Sequence, residues 1–425
     1  MDLSAGQRPG RLRSDRARIP RKRRIDGMTA ETDAKNVSTP GKAGEEIIER
    51  FREAAQWLPE EAVAEARKSV PDMQGFAIFP VYAPVEIVHA AGLLPVGLFG
   101  AGGRVELSYA ESRFQSFICS IAKSTLELFL RNKLQGFTGV VFSSICDVAR
   151  NLASLVKRNA PELYVEYLHL PQNMYSKRSA AYTRSEFERF RRNLSQHLGR
   201  SIPDAAVMES LQLYNALRRQ LRRLYRFRKE HPCAISAAEL YAVVRGTTRL
   251  RPEESLPLLE RLCKEVETRE VRERDGVKVV IEGAFCEQPP LGLLEVIEAG
   301  GCLVQDDDLL VGWRQFADDV PSNGNPVAAL ADAYLSRSVY TSVRHDRNRP
   351  RTQGLLDRMK EAGAEAVLFT PAKFCEPALL DYVLFRRTLD QADVPHLKVE
   401  FEEKMWSFEA TRTEVETFAE SMLFD

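Results

Sequence analysis

The stretch Gly139-Val-Val-Phe-Ser-Ser-Ile-Cys-Asp-Val-Ala-Arg-Asn151 limits the folds open to this chain more than any other. Gly139 to Ser143 has the short apolar run of a buried strand. From Asp147 onward, Val148, Leu152 and Leu155 fall on one helical face. Cys146 lies in the turn between them. In open α/β sheets that turn, at the carboxyl end of a strand, is where ligands collect. The free amides and positive dipole end of a helix start favour a thiolate or an anionic cluster there. A cysteine can also occupy such a turn only because it is small, so Cys146 alone leaves both readings open.

The pattern returns near the C-terminus. Ala366-Val-Leu-Phe-Thr370 reads as a strand, Pro371-Ala-Lys-Phe-Cys-Glu-Pro377 as a turn, and a helix follows from Ala378. Cys375 therefore takes the same place as Cys146. A third cysteine, Cys119, lies near the start of the helical run from Phe117 to Leu130. Three thiols at helix starts can hold three irons of a cubane cluster and leave the fourth iron open. That expectation rests on placement, since the chain has no Cys-x-x-Cys.

At 425 residues the chain has room for two or three domains. Its 60 basic and 60 acidic residues balance to +0, which argues against a dedicated nucleic-acid binder. No apolar run approaches a membrane span and no signal-peptide pattern opens the chain, so neither a membrane nor an export route is expected. Seven scattered cysteines do not form a disulfide framework and point to a reducing cytoplasm.

Four parts follow from the patterning. Residues 1–42 are a basic tail with Arg21-Lys-Arg-Arg24, too polar to bury anything and expected to be disordered, with Met28 as an alternative start. Residues 43–182 form a first α/β domain, led by a helix over Ala43–Lys68 and carrying strands at 76–79, 94–99, 139–143 and 164–168. Strands alternating with helices predict a parallel, doubly wound sheet. Residues 183–273 lose the strand signal and carry long helices, including Ala205–Lys229 and Glu253–Val271. There Arg218, Arg222 and Arg226 share a helix face, which reads first as solvated. A grip on coenzyme A phosphates or an acidic partner are the alternatives. Residues 274–425 form a second α/β domain with strands at 277–281, 302–304, 366–370 and 396–401.

Asp306-Asp-Asp308 resembles a ribose-binding position, but the first turn of that unit has no Gly-x-Gly-x-x-Gly. The chain also has no phosphate loop, no Gly-x-Ser-x-Gly elbow and no His-Glu-x-x-His. Cysteine is the chemistry that remains. Cys263 reads as a helix core residue and Cys302 as a strand core residue. Cys233 sits in a connection, and Cys286, in a strand-end turn, is a reserve ligand or pocket residue.

The segments Phe117-Ile-Cys-Ser-Ile-Ala, Ser144-Ile-Cys-Asp-Val-Ala-Arg-Asn-Leu, Phe285-Cys-Glu-Gln-Pro-Pro-Leu, Gly301-Cys-Leu-Val-Gln-Asp-Asp-Asp and Phe374-Cys-Glu-Pro-Ala-Leu-Leu occur in an informative order. From Ala43 onward the chain resembles the benzoyl-CoA reductase and 2-hydroxyacyl-CoA dehydratase family. Its Cys-Glu-Gln-Pro-Pro-Leu turn and Leu170-Pro-Gln-Asn segment are most similar to the benzoyl-CoA-reducing branch. The resemblance implies two Rossmann-like parallel-sheet domains with an inserted helical segment. It also implies a 4Fe-4S cluster on Cys119, Cys146 and Cys375, and reduction of an aromatic acyl-CoA. The implied partners are a related cluster-bearing subunit, a separate ATP-hydrolysing electron-donor pair and ferredoxin upstream. A 2-hydroxyacyl-CoA dehydratase subunit and a non-catalytic assembly or electron-relay subunit are the alternatives. The arginine-rich tail departs from the family pattern.

Overall fold

The computed structural model describes residues 42–424 except 272, 311–313, 315, 340 and 345–349. The expected tail, apart from its last residue, lies outside the described residues. The chain is α/β, as the alternating pattern predicts, with two four-stranded parallel sheets. The first comprises β1 (Gly75–Phe79), β2 (Leu94–Gly97), β3 (Phe137–Ser143) and β4 (Tyr164–Leu168), in the order β2-β1-β3-β4. The second comprises β5 (Val277–Glu282), β6 (Cys302–Asp307), β7 (Ala366–Phe369) and β8 (His396–Lys398), in the order β6-β5-β7-β8. The two orders are the same. Each sheet runs outward from its first strand in one direction and then restarts on the other side. A crevice therefore opens at the carboxyl ends between β1 and β3, and again between β5 and β7.

The central strands β1 and β7 are buried along their whole length, and apolar residues fill them, because helices cover both faces of a parallel sheet. The edge strands β4 and β8 are only partly buried. One continuous apolar core runs from Ile47 to Ala419 and includes residues of both sheets.

The expected leading helix is two helices, α1 (Lys42–Gln56) and α2 (Pro59–Ser69). Pro59 cannot donate the backbone bond that a continuous helix needs, but it suits a first helical position. Glu61 takes the Leu58 amide at 2.6 Å and closes the new start. α3 (Val85–Ala90) and α4 (Ser120–Leu130) flank β2, and α5 (Asp147–Asn159) follows β3. The strandless stretch holds α6 (Ser179–Leu198), α7 (Asp204–Glu230), α8 (Ala237–Gly246) and α9 (Pro252–Glu267). α8 packs against α1 so closely that a Cβ on Gly246 would stand 2.6 Å from the Phe51 carbonyl oxygen. α10 (Leu291–Ala299), α11 (Pro326–Ser336), α12 (Arg351–Ala362), α13 (Glu376–Gln391) and α14 (Glu409–Phe424) complete the chain.

The arginine face of α7 is not uniformly solvated. Arg218 is buried and bonds Glu86 at 2.6 Å, Arg222 pairs with Asp319, and Arg226 remains exposed. Spacing placed the three on one side of the helix, but only packing shows that the core reaches the first of them.

On α10, both carboxylate oxygens of Glu298 accept the Ala237 amide at 3.0 Å, at the start of α8. Burial pushes its pKa from 4.5 up to about 7. Stability from such a raised carboxyl is complete below 4.5 and is lost as pH rises through about 7. At about 1.4 kcal/mol per pH unit, the interval is worth roughly 3 kcal/mol. Glu298→Gln should therefore match the parent near about pH 4 and exceed it by up to that amount near about pH 8. Urea midpoints at the two pH values check it; a gain that does not grow with pH would rule it out.

Candidate cysteine site

Asp308 shapes the turn after β5. Its carboxylate accepts the amides of Gly283 at 2.7 Å and Ala284 at 3.1 Å, holding the chain as it leaves the strand. Gly283 has φ +115°, open to glycine and strained for other residues, and lies against Thr370 and Pro371 after β7. The acidic run therefore has structural work. Asp306 meets Lys229 at 3.0 Å, and Asp307 meets Arg228 at 2.7 Å and Tyr225 at 2.9 Å. No carboxylate of the three faces outward as a ribose ligand requires, since all are buried. Two residues past Ala284, the turn delivers Cys286.

Cys119, Cys146 and Cys375 each cap the start of a helix: α4, α5 and α13 respectively. At Cys146 the Ala149 amide donates to Sγ at 3.4 Å. The Ala122 and Ala378 amides face Cys119 and Cys375 in the same way and favour their thiolates, short of a full cap bond. The three share the local sequence Cys-x-x-Ala. A small third residue lets the amide turn toward sulfur, so the motif was available as a sequence signal.

The structure brings these three thiols together with Cys286. Cys286 and Cys375 act on each other as neighbouring thiols; the interaction lowers Cys375 below the usual thiol value and raises Cys286 well above it. Charge on Cys119 or Cys146 also opposes ionisation of Cys286. Burial, helped by Glu287 and Cys375, holds Cys119 well up, and burial holds Cys146 up at about 11. Four mutually sensing thiols thus stand at the carboxyl ends of β3, β5 and β7 and at the start of α4.

Cys263 and Cys302 are buried elsewhere, as a helix residue and a strand residue should be. Cys263 reaches the Gln220 carbonyl at 3.6 Å, and burial raises it to about 12.

Sequence reasoning missed the polar residues beside the thiols. Glu287 hydrogen-bonds the Ser120 hydroxyl and accepts the Ile121 amide at 3.3 Å, tying the Cys286 turn to the Cys119 helix. Burial raises Glu287 to about 8, so it keeps its proton at neutral pH. The Ser120 hydroxyl also takes the Glu403 amide at 3.3 Å. These partners lie more than 150 positions apart, beyond any local pattern.

Among the described residues, no three His, Cys, Asp or Glu side chains close on a point that would hold a single metal ion. A polynuclear cluster spreads its thiolate ligands more widely than one ion does, because the metal–sulfur core stands between them. The all-thiol donor set, the helix-start amides and a setting shielded from water suit iron–sulfur ligation.

The model of the 2-hydroxyglutaryl-CoA dehydratase D-component family matches residues 80–422. The chain belongs to that family. It is 33% identical over 378 residues to a benzoyl-CoA reductase subunit of Thauera aromatica, covering 89% of this chain and 98% of that one. It is 30% identical to the beta subunit of the lactoyl-CoA dehydratase of Anaerotignum propionicum, over 81% of this chain and 91% of that one. The beta subunit of the (R)-2-hydroxyglutaryl-CoA dehydratase of Acidaminococcus fermentans shares 28%, over 84% and 94%. The family resemblance seen in the cysteine segments is thereby established, including similarity to a reductase subunit. No described helix is long and apolar enough to cross a membrane.

Proposed function

We propose that this chain is the iron–sulfur subunit of an ATP-dependent reductase that dearomatises benzoyl-CoA or a related aromatic acyl-CoA. Convergence of the half-buried Cys119 and Cys146 with the buried Cys375 on one site supports the cluster reading. Identity of 33% to a benzoyl-CoA reductase subunit, against 30% and 28% to two dehydratase subunits, supports the reductase reading over the dehydratase one. When bound, a 4Fe-4S cluster supplies low-potential single-electron transfer.

The chain's own residues position and insulate it. Cys119, Cys146 and Cys375 would hold three irons, each with a helix start to offset thiolate charge. Cys286 stands beside Cys375 as a fourth thiol or a pocket residue. Glu287 holds a proton at an oxygen next to the Cys119 helix, with Ser120 fixing its orientation. Energy input belongs on other polypeptides, because the chain has no phosphate loop. The proposed partners are a related cluster-bearing subunit, an ATP-hydrolysing pair and ferredoxin.

Measured alone under anaerobic conditions, the chain should hydrolyse no ATP and reduce no benzoyl-CoA, even with a strong chemical reductant. With its partners it should form a cyclic dienoyl thioester, consuming ATP in step with electrons. ATP needed only to start the reaction, with no net reductant used, replaces this reading with the dehydratase one. Substrate-analogue binding only to the partner, with the cluster serving relay, favours the non-catalytic role. Following ATP, reductant and thioester together separates reductase from dehydratase, and analogue binding to each subunit separates the relay role.

A further inference from the structure

A cavity of about 280 Å³ opens between the α1–α2 junction, the loop after β2, the end of α8 and the Gln288–Leu291 turn. Trp57, Phe99 and Leu291 give it apolar walls, and Arg245, Arg249 and Glu403 give it charge and proton-holding groups. The arginines are unusual in their pairing. Arg249 is 2% exposed, with the centre of the Phe99 ring 5.9 Å from its guanidinium carbon, and it hydrogen-bonds backbone: Nε donates to the Trp57 carbonyl at 3.2 Å, and Nη1 donates to the Gly97 carbonyl. Arg245 Nη1 reaches the Tyr241 hydroxyl at 3.4 Å, while its buried Nε has no partner. Among the described residues, neither guanidinium has a carboxylate within ion-pair distance, although the third arginine of the wall, Arg104, is paired with Glu61 at 2.6 Å.

A buried cation without an ion pair, as at Arg249, is costly, and the half-buried Arg245 beside it repels it. That repulsion adds to burial in lowering Arg249 to about 9. Glu403 does not neutralise them by contact. It accepts the Gly102 amide, and burial favours its protonated form. The Gln288 side-chain oxygen, also buried on this wall, has no donor. The cavity thus has two cations lacking an anion and an acceptor lacking a donor.

We propose that this cavity is a binding site for a small oxyanion, seated on Arg245 and Arg249, with its body against Trp57 and Phe99. Guanidinium forks match carboxylate and phosphate oxygens alike. The volume lies just below the ~300 Å³ at which pockets for drug-sized ligands begin, which suits one acid group on a small body. The site is distinct from the thiols, but Gln288 and Glu403 border both, so its occupant can be sensed there.

The test is isothermal titration of the full chain, purified anaerobically in chloride, with sodium benzoate and with inorganic phosphate. Saturable binding of either is expected, and the tighter of the two identifies a carboxylate or a phosphate source. Arg245→Gln should weaken it about tenfold or more. Its melting temperature in chloride checks that it folds. Leu291→Trp, which fills the cavity with both arginines in place, should abolish binding, and Arg226→Gln on the exposed face of α7 should not change it. No saturable binding of either probe, or equal binding by the parent and Leu291→Trp, overturns the proposal.

Discussion

Serine at Cys119, Cys146 or Cys375 should strip most of the bound iron from this chain, while serine at Cys263 leaves it unchanged. Each of the three thiols caps a helix whose amides favour the thiolate, Cys119 senses charge on both of the others, and Cys146 senses charge on Cys375. A serine oxygen keeps the cap but is a harder, far less acidic donor that iron–sulfur clusters accept poorly. Thiolate-rich metal sites carry ~10–16 kcal/mol over about four ligands, so losing one costs on the order of a hundredfold in affinity. Iron and sulfide assays with electron paramagnetic resonance, all under anaerobic conditions, read the outcome. Parent-like iron in Cys146→Ser would sink the ligand assignment. Cys286→Ser is the informative fourth case: retained iron leaves three protein ligands, and lost iron makes Cys286 a ligand too.

The second large effect lies far from the thiols. Glu86→Ala should destabilise the fold by roughly 3–5 kcal/mol, because it leaves the Arg218 guanidinium charged and buried. The pair closes at 2.6 Å with side-chain exposures of 2% and 1%, and Arg218 lies between the rings of Tyr214 and Phe316. Since a domain's whole stability is about 5–15 kcal/mol, a loss of this size should be visible as poor yield and a lower urea midpoint. The double change Glu86→Gln with Arg218→Met should recover much of it, since removing both charges also removes the desolvation cost. A single variant as stable as the parent would show that water reaches this pair.

The residue pattern alone made the α/β class, the parallel strands and the helix-start placement of three cysteines legible. Those features rest on hydrophobic period and on turn chemistry within a dozen residues. It also marked Cys263 and Cys302 as core, because each sits inside an apolar element. It misjudged the leading helix, where Pro59 outweighs a continuous apolar stripe.

Folding was needed to show that Cys286 meets Cys375, that Glu287 leans on Ser120, and that Arg218 is buried while Arg226 is not. It alone showed that Asp306, Asp307 and Asp308 are held inside by arginines, a lysine and turn amides. The physical reason is the same in each case. A side chain's local sequence sets its direction from the backbone, but its charge state and partner depend on what a different element, 25 to 167 residues away in these cases, places opposite it.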